Sequence, residues 1–288
     1  MIGEAARAWL DRTRGGRRRL WLGLATLLGP RARGFFIPHR NADAVQPCAY
    51  PVLEARLARR AGAFEEMLAT IEQLGPRLRT LAGPPPAPRF DQGWFPRLDA
   101  AAAYAMVWRT RPRRIVEVGS GHSTRFLARA IADQGLATEL TCIDPAPRRP
   151  LEGLGVSWQR TIVQQAPESC FTALASGDVL FVDSSHVLMP GSDVDWIVNR
   201  ILPAMDPGVL VHFHDVFLPD AYPASWAWRG YNEQSAIAAL IQGEGYEVEF
   251  ASRFVASRWP ERLRRGVLAE LPLAEGAFES SLWLRKRG

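Results

Sequence analysis

Residues 115–124 read IVEVGSGHST, and the rest of the chain is placed around this stretch. Ile115, Val116 and Val118 are the apolar positions of a short buried strand. Gly119 and Gly121 follow, where a backbone without Cβ can turn sharply and let a ligand approach. From Ser123 to Gln134 the spacing becomes helical, so the turn feeds a helix N-terminus whose unpaired N–H groups face the ligand side. A strand, a glycine turn and a helix in direct succession open an α/β unit that binds ligands at its strand ends.

Three details refine what the loop can hold. A pyrophosphate fingerprint wants a third glycine at position 124, where this chain has Thr124. Glu117 puts a carboxylate beside the loop, repulsive to a pyrophosphate and attractive to an ammonium group. Asp144 ends the next strand in TCIDP, where a carboxylate can accept hydrogen bonds from both hydroxyls of a ribose. Read singly, Glu117 is also a solvated strand-end charge and Asp144 an Asx-turn residue before Pro145. Together they describe a site for a nucleoside that carries positive charge.

Outward from this unit, short apolar strands alternate with helical stretches. Strands are predicted over 140–143, 157–163, 179–182 and 209–213, with final strands over 246–252 and 280–286. Helices are predicted over 98–109, 194–202 and 233–242. Upstream, Leu53, Leu57, Phe64, Met67, Leu68, Ile71 and Leu74 share one helical face, which Gly75-Pro76 should end or kink. The proline-dense GPPPAP at 83–88 divides the chain into a helical extension, 1–88, and an α/β domain, 89–288.

Charge and cysteines bound the class. The chain of 288 residues carries +5, and nine arginines against Glu4 and Asp11 place +7 within residues 1–40, leaving about −2 for the remainder. A basic face for nucleic acid is therefore not expected on the α/β domain. Arg17–Arg19 precede an apolar run, 20–28, far shorter than the ~20 residues of a spanning helix. The segment reads as an amphipathic or core-packed helix, with peripheral contact to anionic lipid and a cleaved signal as the alternatives. Cys48, Cys142 and Cys170 have no close spacing, which suits a reducing compartment and a cytoplasmic protein.

The motifs EVGSGHST, LFVDSSH at 180–186 and HFHDVFLP at 212–219, with the strand-end Asp144, resemble class I S-adenosylmethionine-dependent methyltransferases of the Methyltransf_24 type. The resemblance covers roughly residues 90–288. It implies a Rossmann-like, mostly parallel seven-stranded sheet of order 3-2-1-4-5-7-6, with the cofactor above the carboxyl ends of strands 1 and 2. Glu117, Gly119, Ser120, Gly121, Ser123 and Asp144 would then contact S-adenosylmethionine, with Asp183 beside it and Gln164 or Gln165 near the adenine edge. The chain departs from the pattern at position 123, where many relatives carry a third glycine and this chain has Ser123.

Four of the five histidines, His122, His186, His212 and His214, fall at or near strand carboxyl ends. The family topology makes the ends of strands 4 and 5 neighbours and so gathers Asp183, His186, His214 and Asp215 before the methyl donor. A histidine suits removal of an acceptor proton, and both His186 and His214 are candidates for that base. The expected reaction is O-methylation of a small-molecule or glycan-type hydroxyl, with N-methylation open. By resemblance to catechol-type and sugar O-methyltransferases, Asp183 with the pair at 214–215 could hold Mg²⁺, although an imidazole among the ligands is a poor match for that ion. A nicotinamide-dependent oxidoreductase and a non-catalytic binding domain are the alternatives. Tyr222, Trp226, Trp228 and Tyr231 in the segment 218–234 read equally as an acceptor pocket or as rings filling the core under a loop.

Overall fold

A computed structural model describes residues 20, 21, 23–25, 28 and 47–288. The basic segment 1–40 and its peripheral-membrane reading lie almost wholly outside the described residues. Among the described residues no helix is long and apolar enough to cross a membrane. Two compact units are present, the larger formed by Tyr50–Asp220 and Asn232–Gly288.

The larger unit is built on seven strands: β1 Arg114–Val118, β2 Glu139–Ile143, β3 Ser157–Gln159, β4 Val179–Val182, β5 Leu210–Phe213, β6 Tyr246–Ala251 and β7 Leu282–Lys286. Their order is β3-β2-β1-β4-β5-β7-β6. The pairs from β3 through β5 are parallel, and β7 runs antiparallel to both β5 and β6. This is the sheet order that the family resemblance implies. β4 and β5 are buried at every position, which explains their unbroken apolar sequences VLFV and LVHF. Asp178 fixes the sheet's amino edge, its Oδ1 accepting the N–H groups of Arg113 and Arg114.

The helix Arg97–Thr110 is buried from Leu98 through Val107, five of these residues being alanines. Small side chains let the helices His122–Asp133 and Ala61–Gln73 pack closely on it. Tyr104 Oη donates to Asp133 Oδ2 at 2.6 Å and ties two of them together. The helix predicted upstream is divided into Pro51–Ala58, Ala61–Gln73 and Gly75–Leu78. Phe64 sits against Phe250, Phe254 and Trp259, so this extension packs on the β6 end of the sheet.

The other unit, among the described residues, holds Ala221–Tyr231 and the few that precede Tyr50. Within it Ala224–Arg229 forms a 3-10 turn, Arg229 stacks on Trp226 at 3.8 Å, and Tyr231 meets Tyr222 and Trp226 edge-on.

Candidate active site

The carboxyl ends of β1, β2, β4 and β5 meet on one edge, and each end contributes a polar group. Gly119 turns the chain after β1 with φ +81. It lies so close to Asp183 that a Cβ there would overlap the Asp183 carbonyl oxygen, so the β1 and β4 loops can adjoin only through glycine. The loop is then locked from behind. Glu117, fully buried, accepts Ser123 Oγ on one carboxylate oxygen and Thr124 Oγ1 on the other, both at 2.6 Å. Gly121 N–H donates to Thr124 Oγ1 at 2.9 Å. Burial pushes the Glu117 carboxyl up to about 7, against the pull of the Ser123, Thr124 and Cys142 donors. Ser123 and Thr124 are therefore the groups that hold Glu117 in place.

Asp144 reaches back from β2 to the same loop. Its Oδ2 accepts Ser120 N–H and its Oδ1 accepts Ala146 N–H, both at 2.7 Å, the second closing an Asx turn. Asp144 thus closes the Asx turn open to a residue before Pro145, and each carboxylate oxygen, with one N–H accepted, retains acceptor capacity. Ser120 Oγ is buried beside the Cys142 thiol with no hydrogen bond of standard geometry. The 3-10 turn Val163–Gln165 follows β3. Within it Gln164 donates to Gly191 O at 3.0 Å, and Gln165 is exposed.

The structure brings together Asp183, His186, His214 and Asp215. Asp183 Oδ1 lies 3.3 Å from His186 Nε2 and 3.6 Å from His214 Nδ1. Asp215 lies 3.6 Å from His186 Nε2 and 3.5 Å from His214 Nδ1. His186 and Asp215 both adopt positive φ, +61 and +56, a conformation that costs energy outside glycine and collects at functional sites. Asp183 is the open member, its side chain 28 % exposed against 4 % for His186 and 5 % for His214.

Two further carboxylates complete the cluster, and the sequence reading did not find them. Glu233, at the start of the helix Glu233–Gln242, accepts His186 Nδ1 at 2.9 Å. Asp99, from the alanine-rich helix, lies 3.5 Å from His214 Nε2 and accepts the N–H groups of Ser280 and Ser281. The signal for Asp99 was an acid set in a run of small buried residues. Glu233 had none beyond its place in a first helical turn.

The electrostatics follow from this geometry. Burial alone would lower the His186 imidazole, but Asp183, Glu233 and Asp215 hold it well above the usual histidine range. Burial opposes His214 likewise, and Asp215, Asp183 and Asp99 raise it. Asp183, which burial would raise, is held well below the carboxylate range by the two imidazoles. Both histidines therefore hold a proton more tightly than a free imidazole does. His212 is different: it lies inside β5, stacked on Phe181 at 3.6 Å and bonded to Ser281 Oγ at 2.8 Å, and burial drives it well below the usual range. It is a core histidine.

Mg²⁺ does not fit this set. The carboxylate oxygens it would need lie 3.3–3.6 Å from two imidazole rings, and hard cations take few nitrogen ligands. Among the described residues no group of three or more His, Cys, Asp or Glu side chains is arranged to hold a metal ion. A cavity of about 280 Å³ lined by Arg114, Glu139, Ser157 and Cys170 opens at the amino ends of β1–β3, the end of the sheet remote from these groups.

Residues 116–216 match the family model described as a methyltransferase domain. With the β3-β2-β1-β4-β5-β7-β6 sheet, this defines a class I S-adenosylmethionine-dependent methyltransferase. Within that class the matched region resembles the Methyltransf_24 family. The match gives the oxidoreductase alternative no support. No curated protein sequence matches the chain. Among solved structures it is similar to the S-adenosylhomocysteine-bound methyltransferase PaMTH1 of Podospora anserina, at 18 % identity over 88 % of this chain and 100 % of that one, with a TM-score of 0.41. It is also similar to the branched-chain polyamine synthase of Thermus thermophilus, at 16 % identity over 75 % and 65 % of the two chains, TM-score 0.42. A third is the plantazolicin methyltransferase BamL, at 12 % identity over 97 % and 98 %, TM-score 0.39.

Proposed function

We propose that the chain transfers the methyl group of S-adenosylmethionine to a hydroxyl of a small-molecule or glycan-type acceptor, with His186 as the base. The observation that supports this reading is the line Glu233–His186–Asp183. A buried carboxylate fixes one ring nitrogen, and the other nitrogen points to the one partly open carboxylate of the cluster. A base oriented by a third group is the arrangement that proton removal needs. His214 lacks a comparable orienting hydrogen bond, its nearest carboxylate oxygens standing at 3.5 Å or beyond.

Bound S-adenosylmethionine supplies a methyl group already activated on a sulfonium. In this reading the Gly119–Gly121 backbone admits its amino-acid end, Asp144 takes the ribose hydroxyls, and Gln165 stands on the adenine side. Glu117 acts through the loop and through its charge, because Ser123 and Thr124 occupy both its oxygens. Asp183 accepts the acceptor hydroxyl's hydrogen bond, and the hydroxyl proton moves through its carboxylate to Nε2 of His186 in the neutral form of that ring. The residues 1–88 are kept as an extension to the methyltransferase domain 89–288. A cytoplasmic location is supported by the three free thiols.

Calorimetric titration with S-adenosylhomocysteine tests the cofactor assignment, and a dissociation constant near ~10 µM is expected, with no heat from NADH. Asp144→Ala should weaken that binding about 10- to 100-fold, since it removes a charged acceptor that both shapes the loop and meets the ligand. Wild-type affinity in Asp144→Ala would overturn the site. The cofactor's ammonium favours ionised Glu117, which in the free protein is protonated below about 7. Affinity should therefore rise with pH below about 7, by at most about tenfold per pH unit, and level off above it. A flat profile between about pH 5.5 and 8 would remove Glu117 from the linkage. EDTA is expected to leave turnover unchanged.

A further inference from the structure

A second group of charged side chains flanks the start of the helix His122–Asp133 and takes no part in the reading above. Arg125 is only 2 % exposed, and among the described residues its Nε has no hydrogen-bond partner and no carboxylate pairs with it. Burial, then the charges of Arg149 and Arg89, lower its pKa. His122 is 6 % exposed, and its Nε2 accepts a hydrogen bond from Arg149 Nε at 3.2 Å. Burial and the same three arginines push this imidazole down to about 4, so it is neutral. A neutral ring that accepts at Nε2 carries its proton on Nδ1, and Nδ1 is buried without a partner. The acid facing the group is Asp91, which pairs with Arg89 at 3.3 Å.

Within this group Arg125 Nε and His122 Nδ1 are buried donors that lack an acceptor. Buried donors are ordinarily satisfied, and a buried guanidinium is ordinarily paired. Three arginines, a neutral imidazole and one aspartate leave a surplus of two positive charges, to which the helix N-terminus adds its own partial charge. We propose that Arg125, Arg149, Arg89 and His122 form an oxyanion site for a phosphate or similarly dianionic group carried by the methyl acceptor. The amino-acid end of the cofactor is a weaker match, because its ammonium would be repelled by the same guanidiniums that attract its carboxylate. The site adjoins the glycine loop through His122, which follows Gly121 directly. The assignment to the acceptor rests on the methyltransferase reading above, whereas the anion site itself does not.

The test is titration of the whole protein with inorganic phosphate and, separately, with S-adenosylhomocysteine, in the wild type, Arg149→Gln and Arg125→Met. Phosphate is expected to bind and, at about 100-fold above its dissociation constant, to raise Tm by about 5 °C or more. Arg149→Gln, on an exposed residue, should weaken phosphate at least ~10-fold and leave S-adenosylhomocysteine affinity within about twofold. Arg125→Met should abolish phosphate binding without lowering Tm, because an unpaired buried charge is replaced by an apolar chain of similar length. A merely structural arginine would show the opposite, a fall in Tm. No phosphate binding at ~10 mM overturns the proposal. So does competition between phosphate and S-adenosylhomocysteine, coupled with loss of both in Arg149→Gln, which would assign the group to the cofactor's carboxylate. Phosphate binding in a protein that fails to bind S-adenosylhomocysteine would support the anion site and overturn the cofactor reading instead.

Discussion

Gly119→Ala is expected to reduce S-adenosylhomocysteine binding more than ~100-fold and to lower Tm by about 6 °C or more. Two costs add. An L-residue at φ +81 loses about 1 kcal/mol relative to glycine. Overlap of its Cβ with the Asp183 carbonyl oxygen costs about 2 kcal/mol more, because the obstruction is backbone and no rotamer relieves it. Relief requires the loops after β1 and β4 to separate. They are joined by Asp183 N–H to Val118 O at 2.9 Å, and Gly119 N–H is itself bonded to Ile143 O at 3.0 Å. Separation therefore moves both Asp144's loop and Asp183 together, which is why binding and stability should fall in one step. Gly121→Ala is the control: no atom lies within 4 Å of a Cβ there, so the fold should survive. Thermal melting and calorimetry on the two variants decide the matter. Wild-type affinity in Gly119→Ala would mean that the loop is not held by this contact.

How much of this was legible in the sequence depends on the range of the interaction concerned. β1, β2, β4 and β5 were readable because strands buried on both faces leave continuous apolar runs. The antiparallel placement of β7 between β5 and β6 came through the family resemblance, since local pattern does not carry strand order. β3 was expected over 157–163 but pairs only at Ser157–Gln159. It is an edge strand with half its surface open, and Val163 begins a 3-10 turn instead. The helix expected over 52–74 breaks after Ala58 because Arg60 turns to bond Val248 O and Glu247. At Gly75-Pro76 the helix is interrupted as expected: Ala61–Gln73 ends, and Gly75–Leu78 restarts with Pro76 in its first turn. Within the site, strand-end residues such as Asp183 and Asp215 were legible from position alone. Glu233 and Asp99 were not: their partners His186 and His214 stand 47 and 115 residues away in sequence. Nor was the inward turn of Glu117, which depends on where Ser123 and Thr124 point once the helix forms.

His186→Gln should lower turnover about 10²- to 10⁴-fold while leaving S-adenosylhomocysteine affinity within about twofold. The amide keeps a polar group in the buried cluster but cannot take a proton. Because Asp183, Glu233 and Asp215 raise the imidazole above its ordinary 6.5 against the effect of burial, the ring holds its proton more tightly than a free imidazole and must lose it before acting. Wild-type turnover is therefore expected to rise with pH through an inflection above 6.5, rather than to plateau below neutrality. The same shift has a stability consequence whose sign is fixed. The folded-state pKa of His186 exceeds its unfolded value, so its contribution is complete below about 6.5 and is lost as pH rises through the folded pKa. Activity and stability should accordingly move in opposite directions across that window. Glu233→Gln separates orientation from proton affinity: it removes one of the charges that raise His186, so the inflection should move toward the ordinary range with a smaller fall in kcat. Ring-proton titration by NMR reads the pKa without an acceptor, and release of S-adenosylhomocysteine against a panel of hydroxyl acceptors reads turnover. Turnover within threefold of wild type in His186→Gln, or a pH profile that Glu233→Gln leaves in place, would move the base to His214, whose carboxylate neighbours raise it by the same physics.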